Sequence, residues 1–133
     1  MPGRRVGYID ASAFVKLALH EPGHEALDTA LEPWHWVSSA LLEVEAVGAA
    51  RRRAHHAADA ARALLGLVDL VEIDADICRA ASELAGPGLR ALDAIHLATA
   101  LSLGERCGAF FAYDERLIDA ARAHGLTVTV PRP

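Results

Sequence analysis

The feature that most constrains this chain is an alternation. Five short apolar runs are separated by stretches of helical period within 133 residues. The runs are Arg5–Ile9, Trp34–Val37, Leu67–Ile73, Ala109–Tyr113 and Leu126–Val130, each suited to a short buried strand. Between them the spacing predicts helices over Asp10–His20, His24–Leu31, Ser38 or Ser39 to about Arg53, Ala57–Leu65, Asp74 or Asp76 to Leu84, Leu89–Leu103 and Glu115–His124. Breakers punctuate them: Glu21-Pro22-Gly23, Pro33, Gly66, Gly86-Pro87-Gly88, Gly104 and Gly125. Ser38 or Ser39 is expected to cap the helix that follows it. Strands parted by helices pair in parallel, because the return path must cross over the sheet. The expectation is an α/β chain with helices layered on a mainly parallel sheet, in a single domain of residues 1–133. Hydrophobic residues make up 53% of the chain, enough to fill one core and too much for a disordered segment.

Several classes of function are excluded or disfavoured. No apolar run is long enough for a membrane-spanning helix. The first nine residues lack the apolar core and cleavage site of a signal peptide, so a cytoplasmic location is expected. Cys78 and Cys107 match no zinc spacing and are expected to be reduced, packed thiols. The net charge is −5, and Lys16 is the sole lysine, which argues against a generally basic nucleic-acid-binding surface. A phosphate-binding G-x-x-x-x-G-K-[ST] loop, a G-x-G-x-x-G turn and a G-x-S-x-G elbow are all missing. His20/His24 and His55/His56 lack the H-E-x-x-H pattern and read as exposed helix-end residues.

What remains is acidic. Asp10 follows the first strand and Asp114 the fourth, so both belong at the rim where parallel sheets bind ligands. Asp93 lies early in a helix after a Gly-Pro-Gly turn, and Glu45 lies in the helix after the second strand. Each acid alone could be a helix cap or complement a helix dipole. Their neighbours argue for more. Asp10 sits between Tyr8-Ile9 and Ala11-Ser12-Ala13-Phe14, and Asp93 sits in the nearly uncharged ALDAIHLATA. Two carboxylates at ~4 Å repel by about 4 kcal/mol at an effective dielectric of ~20. A fold tolerates that through protonation or a bound cation, and oxygen donors suit Mg²⁺ or Mn²⁺. The second acid is open on periodicity: Glu45 shares a face with Leu41, Leu42 and Ala49, whereas Glu43 shares one with Ser39, Val47 and Ala50. Leu92, Ile95, His96 and Thr99 are spaced for one side of their helix.

Four segments in order then become recognisable. They are Tyr8-Ile9-Asp10-Ala11-Ser12-Ala13; Ser38-Ser39-Ala40-Leu41 with Val44-Glu45 and Arg51; Leu92-Asp93-Ala94-Ile95-His96-Leu97-Ala98-Thr99-Ala100; and Phe111-Ala112-Tyr113-Asp114-Glu115-Arg116-Leu117. The chain resembles the PIN-domain proteins, specifically the VapC-type toxin ribonucleases of type II toxin–antitoxin pairs. That resemblance implies an α/β/α sandwich around a parallel sheet and hydrolysis of RNA phosphodiester bonds with Mg²⁺ or Mn²⁺. It implies Asp10, Glu45, Asp93 and Asp114 as the catalytic acids, with Asp10, Asp93 and Asp114 holding one or two ions. The Val44-Glu45 pairing, six residues before Arg51, selects Glu45 over Glu43. Glu45 is then either a ligand through water or the base that positions the nucleophile. Ser12 matches a small hydroxyl residue near the first acid. Ser12, Arg51 and Arg116 are the expected substrate contacts. Gly48 stands where the family often has arginine. The resemblance also implies a homodimer and a cognate VapB-type antitoxin whose tail covers the acidic groove.

Other readings of the same residues set the bounds. Arg51-Arg52-Arg53 is either a phosphate grip or a solvated helix end. His96 is expected to be packed or hydrogen-bonded, and Trp34 and Trp36 to be packing residues. A receiver-type signalling domain would need a lysine after the fifth strand, and Lys16 lies in the first helix. A non-catalytic PIN-like binding module is the other alternative, against which stand all four acids. The alanine-rich faces at Leu27–Leu31 and Ala57–Leu67 suit helix–helix contact.

Overall fold

The computed structural model describes residues 4–133; residues 1–3 of the expected domain lie outside the described residues. Among the described residues the strands are β1 (Val6–Ile9), β2 (His35–Ser39), β3 (Asp69–Val71), β4 (Cys107–Phe111) and β5 (Val128–Thr129). The helices are α1 (Ala11–Ala18), α2 (His24–Leu31), α3 (Leu41–Arg53), α4 (Ala57–Leu65), α5 (Ala75–Leu84), α6 (Ala91–Ser102) and α7 (Glu115–Ala123). The sheet order is β3-β2-β1-β4-β5 and every pairing is parallel. The expected α/β sandwich is therefore the observed one.

Period-two alternation in the central strands builds two cores. Tyr8 and Phe110 face one side, where they pack with Ile77, Leu97 and Leu117 from α5, α6 and α7. Ile9 and Phe111 face the other, with Phe14, Leu27, Leu42 and Leu65 from α1 to α4. Strands covered on both faces read as near-continuous apolar runs, which is why periodicity finds them. Right-handed crossovers explain the layering. The chain winds outward from β1 to β3 beneath α1–α4, then returns past β1 to β4 and β5 beneath α5–α7. The winding direction reverses between β1 and β4. That reversal is the topological switch point, where parallel sheets open a crevice at their carboxyl ends.

Local chemistry sets the element boundaries. Asp10, Asp74 and Asp114 each cap a helix by accepting from a backbone N–H three residues on: Ala13, Ile77 and Leu117. Serine does not occupy the N-cap of α3, although Ser39 Oγ accepts from Leu41 N, the first N–H of that helix, at 3.1 Å. Ser38 and Ser39 belong to β2, which runs two residues past the expected end, and the α3 N-cap position is Ala40. Ser38 Oγ instead donates to Ile9 O at 2.6 Å, tying the ends of β1 and β2 together. Helix α6 starts at Ala91 rather than Leu89, because Leu89 pairs back onto Gly86 across the turn. Strand β3 is shorter than expected, since Leu67 N and Val68 N are spent closing the end of α4. Trp34 packs as expected, and two glycines admit it. A Cβ at Gly108 would lie 2.5 Å from Trp34 Cζ3, and one at Gly7 would lie 2.8 Å from Trp34 Cβ.

Two expectations need correction. Cys78 is exposed rather than packed, because it lies on the solvent side of α5; Cys107 is half-buried, and both are free thiols. Leu92 is 50% exposed, because one turn of α6 projects beyond the sheet before the helix enters the core. Among the described residues no helix is long and apolar enough to cross a membrane.

Candidate active site

The switch point carries the acids. Asp10 leaves β1 on one side of it and Asp114 leaves β4 just beyond the other. Asp10 is almost fully buried, at 3% exposure. Its Oδ1 accepts from Ala13 N at 2.8 Å and from Ser12 Oγ at 2.7 Å, and Oδ2 lies 2.9 Å from the same hydroxyl. Ser12 Oγ also accepts from Tyr113 N at 2.9 Å. One hydroxyl thus couples the first acid to the segment that presents the fourth. Asp114 is exposed, and its Oδ1 is used on Leu117 N at 3.0 Å. Capping does not exclude a further role, since a carboxylate has about four acceptor sites.

Asp93 sits in the first turn of α6, half-buried. It lines a hollow of about 420 Å³ together with Asp114, Tyr113, Arg90 and Arg116. Glu45 comes from α3 and reaches the same region from the far side. The structure separates it from Glu43, which is exposed. Glu45 Oε1 accepts from His96 Nε2 at 2.6 Å, and His96 Nδ1 is 2.7 Å from Tyr8 Oη. His96 is buried, as expected of a hydrogen-bonded histidine.

Electrostatics tie the group together. Burial pushes the Asp10 carboxyl up to about 6, and the charge of Asp93 adds to the shift; the Ala13 N–H, His96 and Ser12 pull against it. Asp93 is also pushed up, first by burial, then by the charges of Asp114 and Glu45, with His96 and Arg90 opposing. Asp93 therefore feels all three other acids, although their segments lie far apart in sequence.

The donor set fits a hard divalent ion, held loosely. Among the described residues no three carboxylate, imidazole or thiol groups converge tightly enough to enclose an ion on their own. Magnesium does not require that, because it keeps several waters and takes one or two carboxylates. Asp10 Oδ2, whose one hydrogen-bond partner among the described residues is Ser12, and the mutually repelling Asp93 and Asp114 are the groups with capacity to spare.

The basic residues divide between two hollows and the open surface. Arg51 is exposed at the end of α3, whereas its neighbour Arg52 lines a groove of about 630 Å³ that includes Ser12, Lys16, Glu45 and Tyr113. Arg116 lines the acid hollow. Sequence reasoning named Arg52 only as part of the Arg51-Arg52-Arg53 cluster, and singled out no role for Arg90, Lys16 or Tyr8. Helical phase could have separated Arg52 from Arg51, since Arg52 lies seven residues, two turns, beyond Glu45. No local signal links Tyr8 to His96, which is 88 residues away.

A parallel sheet bearing acids from four segments at its switch point defines an acidic-site α/β domain, and the PIN domain family model matches residues 7–123. Two curated relatives from Mycobacterium tuberculosis, ribonuclease VapC46 and ribonuclease VapC35, are 42% and 40% identical; each match covers 93% of this chain and 96% of the relative. The chain belongs to the PIN-domain family, in its VapC branch. Solved structures share the fold. The Mycobacterium tuberculosis toxin VapC20, described as cleaving the sarcin–ricin loop, superposes with a TM-score of 0.74 at 23% identity, covering 96% of this chain and 99% of that one. A toxin–antitoxin complex from Klebsiella pneumoniae gives a TM-score of 0.72 at 23% identity, covering 94% and 97%.

Proposed function

We propose that this protein is the toxin of a type II toxin–antitoxin pair: an endoribonuclease that hydrolyses RNA with Mg²⁺ or Mn²⁺ held by Asp10, Asp93 and Asp114. The observation that carries the reading is the electrostatic state of Asp10. It is buried, repelled by Asp93, and pushed up to about 6. A fold that gathers carboxylates this way is relieved by a divalent cation. When bound, such an ion supplies Lewis-acid charge for the phosphate oxygens and acidifies a water.

The chain's own residues do the rest. Ser12 holds Asp10 in one orientation and ties it to the backbone ahead of Asp114. Glu45 keeps one oxygen on His96, and its Oε2 has no protein partner among the described residues. We assign to Oε2 the proton of the attacking water: the water oxygen bonds to phosphorus, the bond to the leaving 3′ oxygen breaks, and that oxygen takes a proton from solvent. Arg52 and Arg116 flank the acids on two sides and would bind phosphates of the RNA strand, compensating locally for the net charge of −5.

The partners follow from the relatives. Similar folds occur in toxin–antitoxin complexes, including VapBC2 from Rickettsia felis bound to a promoter DNA fragment. A VapB-type antitoxin covering the acidic groove is the corresponding proposal here; a homodimer of this chain rests on the family resemblance alone.

The test is direct. Purified protein with Mg²⁺ should cut a labelled RNA internally, and leave DNA of the same sequence intact. An RNA panel that stays uncut would overturn the reading. The arginines give a second measurement. Arg52→Ala and Arg116→Ala should each raise KM several-fold with kcat within about twofold. Each should also flatten the slope of log KM against log salt by roughly 0.7, as expected for one lost contact to a single strand. An effect on kcat alone would place them elsewhere in the reaction.

A further inference from the structure

Resting on the ribonuclease reading for the role of Glu45, we infer that Tyr8 and His96 form a buried positioning relay that holds the Glu45 carboxylate for proton transfer. The relay runs from the sheet through α6 to α3. Tyr8 is on β1, two residues before Asp10, and points into the core between sheet and α6. Its ring stacks on Phe110 with centroids 5.3 Å apart and planes 5° from parallel. The phenol is wholly buried, and burial holds it protonated. His96 lies three residues after Asp93, so both project from one side of α6, with His96 a turn deeper. It is 1% exposed and its ring stands edge-on to Tyr8.

Hydrogen-bond polarity fixes the Glu45 end of the relay. An ionised carboxylate only accepts, so His96 Nε2 carries a hydrogen and donates to Glu45 Oε1. Nδ1 pairs with the Tyr8 hydroxyl, which donates to a neutral ring and accepts from a protonated one. One carboxylate oxygen is anchored, and the other has no hydrogen-bond partner among the described residues. Without the anchor, the glutamate would sample several rotamers on a half-exposed helix face, and few of them would place Oε2 correctly. Outer partners of this kind orient the groups that react without touching substrate.

The relay accounts for features the acids alone leave idle. A buried histidine paired to nothing but core would be costly, yet both ring nitrogens here are satisfied. It also separates Glu45 from Glu43 without appeal to the family pattern, because Glu45 alone meets the imidazole.

Two measurements test it. In metal-free protein, ¹⁵N spectra of the His96 ring should show a protonated Nε2, and Tyr8→Phe should shift the Nδ1 resonance. In cleavage assays with Mg²⁺, His96→Leu should lower kcat at least tenfold with KM within twofold. His96→Gln, whose amide nitrogen can reach Glu45, should recover much of that loss. Equal thermal stability of the Leu and Gln variants would exclude simple unfolding as the cause of their difference. A His96→Leu kcat within twofold of the parent, a Gln variant no better than an equally folded Leu variant, or an unprotonated Nε2 at neutral pH would overturn the relay. Failure of the parent protein to cut any RNA would overturn the ribonuclease reading instead, and the metal-free ¹⁵N spectra would then decide the relay by themselves.

Discussion

Asp10→Asn should abolish RNA cleavage and, in the absence of metal, make the fold more stable above about pH 6. The two effects have one origin. Asp10 is buried and its carboxyl is pushed from an ordinary value of 3.8 up to about 6. Below about pH 4 the group is protonated in both folded and unfolded chains, and its shift contributes nothing. As pH rises through the interval to about 6, the unfolded chain releases its proton first and the folded chain is penalised. Above about 6 the penalty is complete, of order 3 kcal/mol for a shift of roughly two units. Asparagine removes the charge and keeps the cap, since its carbonyl oxygen can still accept from Ala13 N. The check is a urea midpoint in EDTA at pH 5 and at pH 7.5. The variant should match the parent more closely at the lower pH and exceed it at the higher one. A variant less stable than the parent at pH 7.5, or one that still cleaves, would show that Asp10 is neither strained nor needed.

Chelation is the second large effect. With EDTA the cleavage rate should fall to background, and Mg²⁺ or Mn²⁺ should restore it. The same ion should raise the melting temperature, and by more at pH 7.5 than at pH 5. Protons and cations compete for the same carboxylates, and both Asp10 and Asp93 hold protons to higher pH than usual. At an ion concentration about 100 times its Kd, linkage stabilises a fold by ~2.7 kcal/mol. A thermal shift of equal size at both pH values would place the ion elsewhere, and activity that persists in EDTA would remove it from the mechanism.

Much of this was legible from residues alone. Asp10 and Asp114 were placed at the strand ends because an apolar run followed by a capping acid is a local pattern. Their capping bonds reach only three residues along the chain. The helix stops at Gly66 and before Gly86 are local in the same way. Boundaries shifted where a backbone group found a partner outside its own element. Ser38 donates to Ile9 across the sheet instead of capping α3, and Leu89 turns back on Gly86. The arginine cluster was legible as a cluster, but which member faces the groove depends on how α3 is rotated against the sheet.

By itself, then, the sequence determined which segments are strands or helices and that acids would stand at strand ends, because dihedral preference, periodicity and capping act between near neighbours. Tertiary structure alone decided the strand order and so the reversal between β1 and β4, and the bond from Tyr8 through His96 to Glu45. Those contacts join positions 51 and 88 residues apart, and they form only when both faces of the sheet are packed at once.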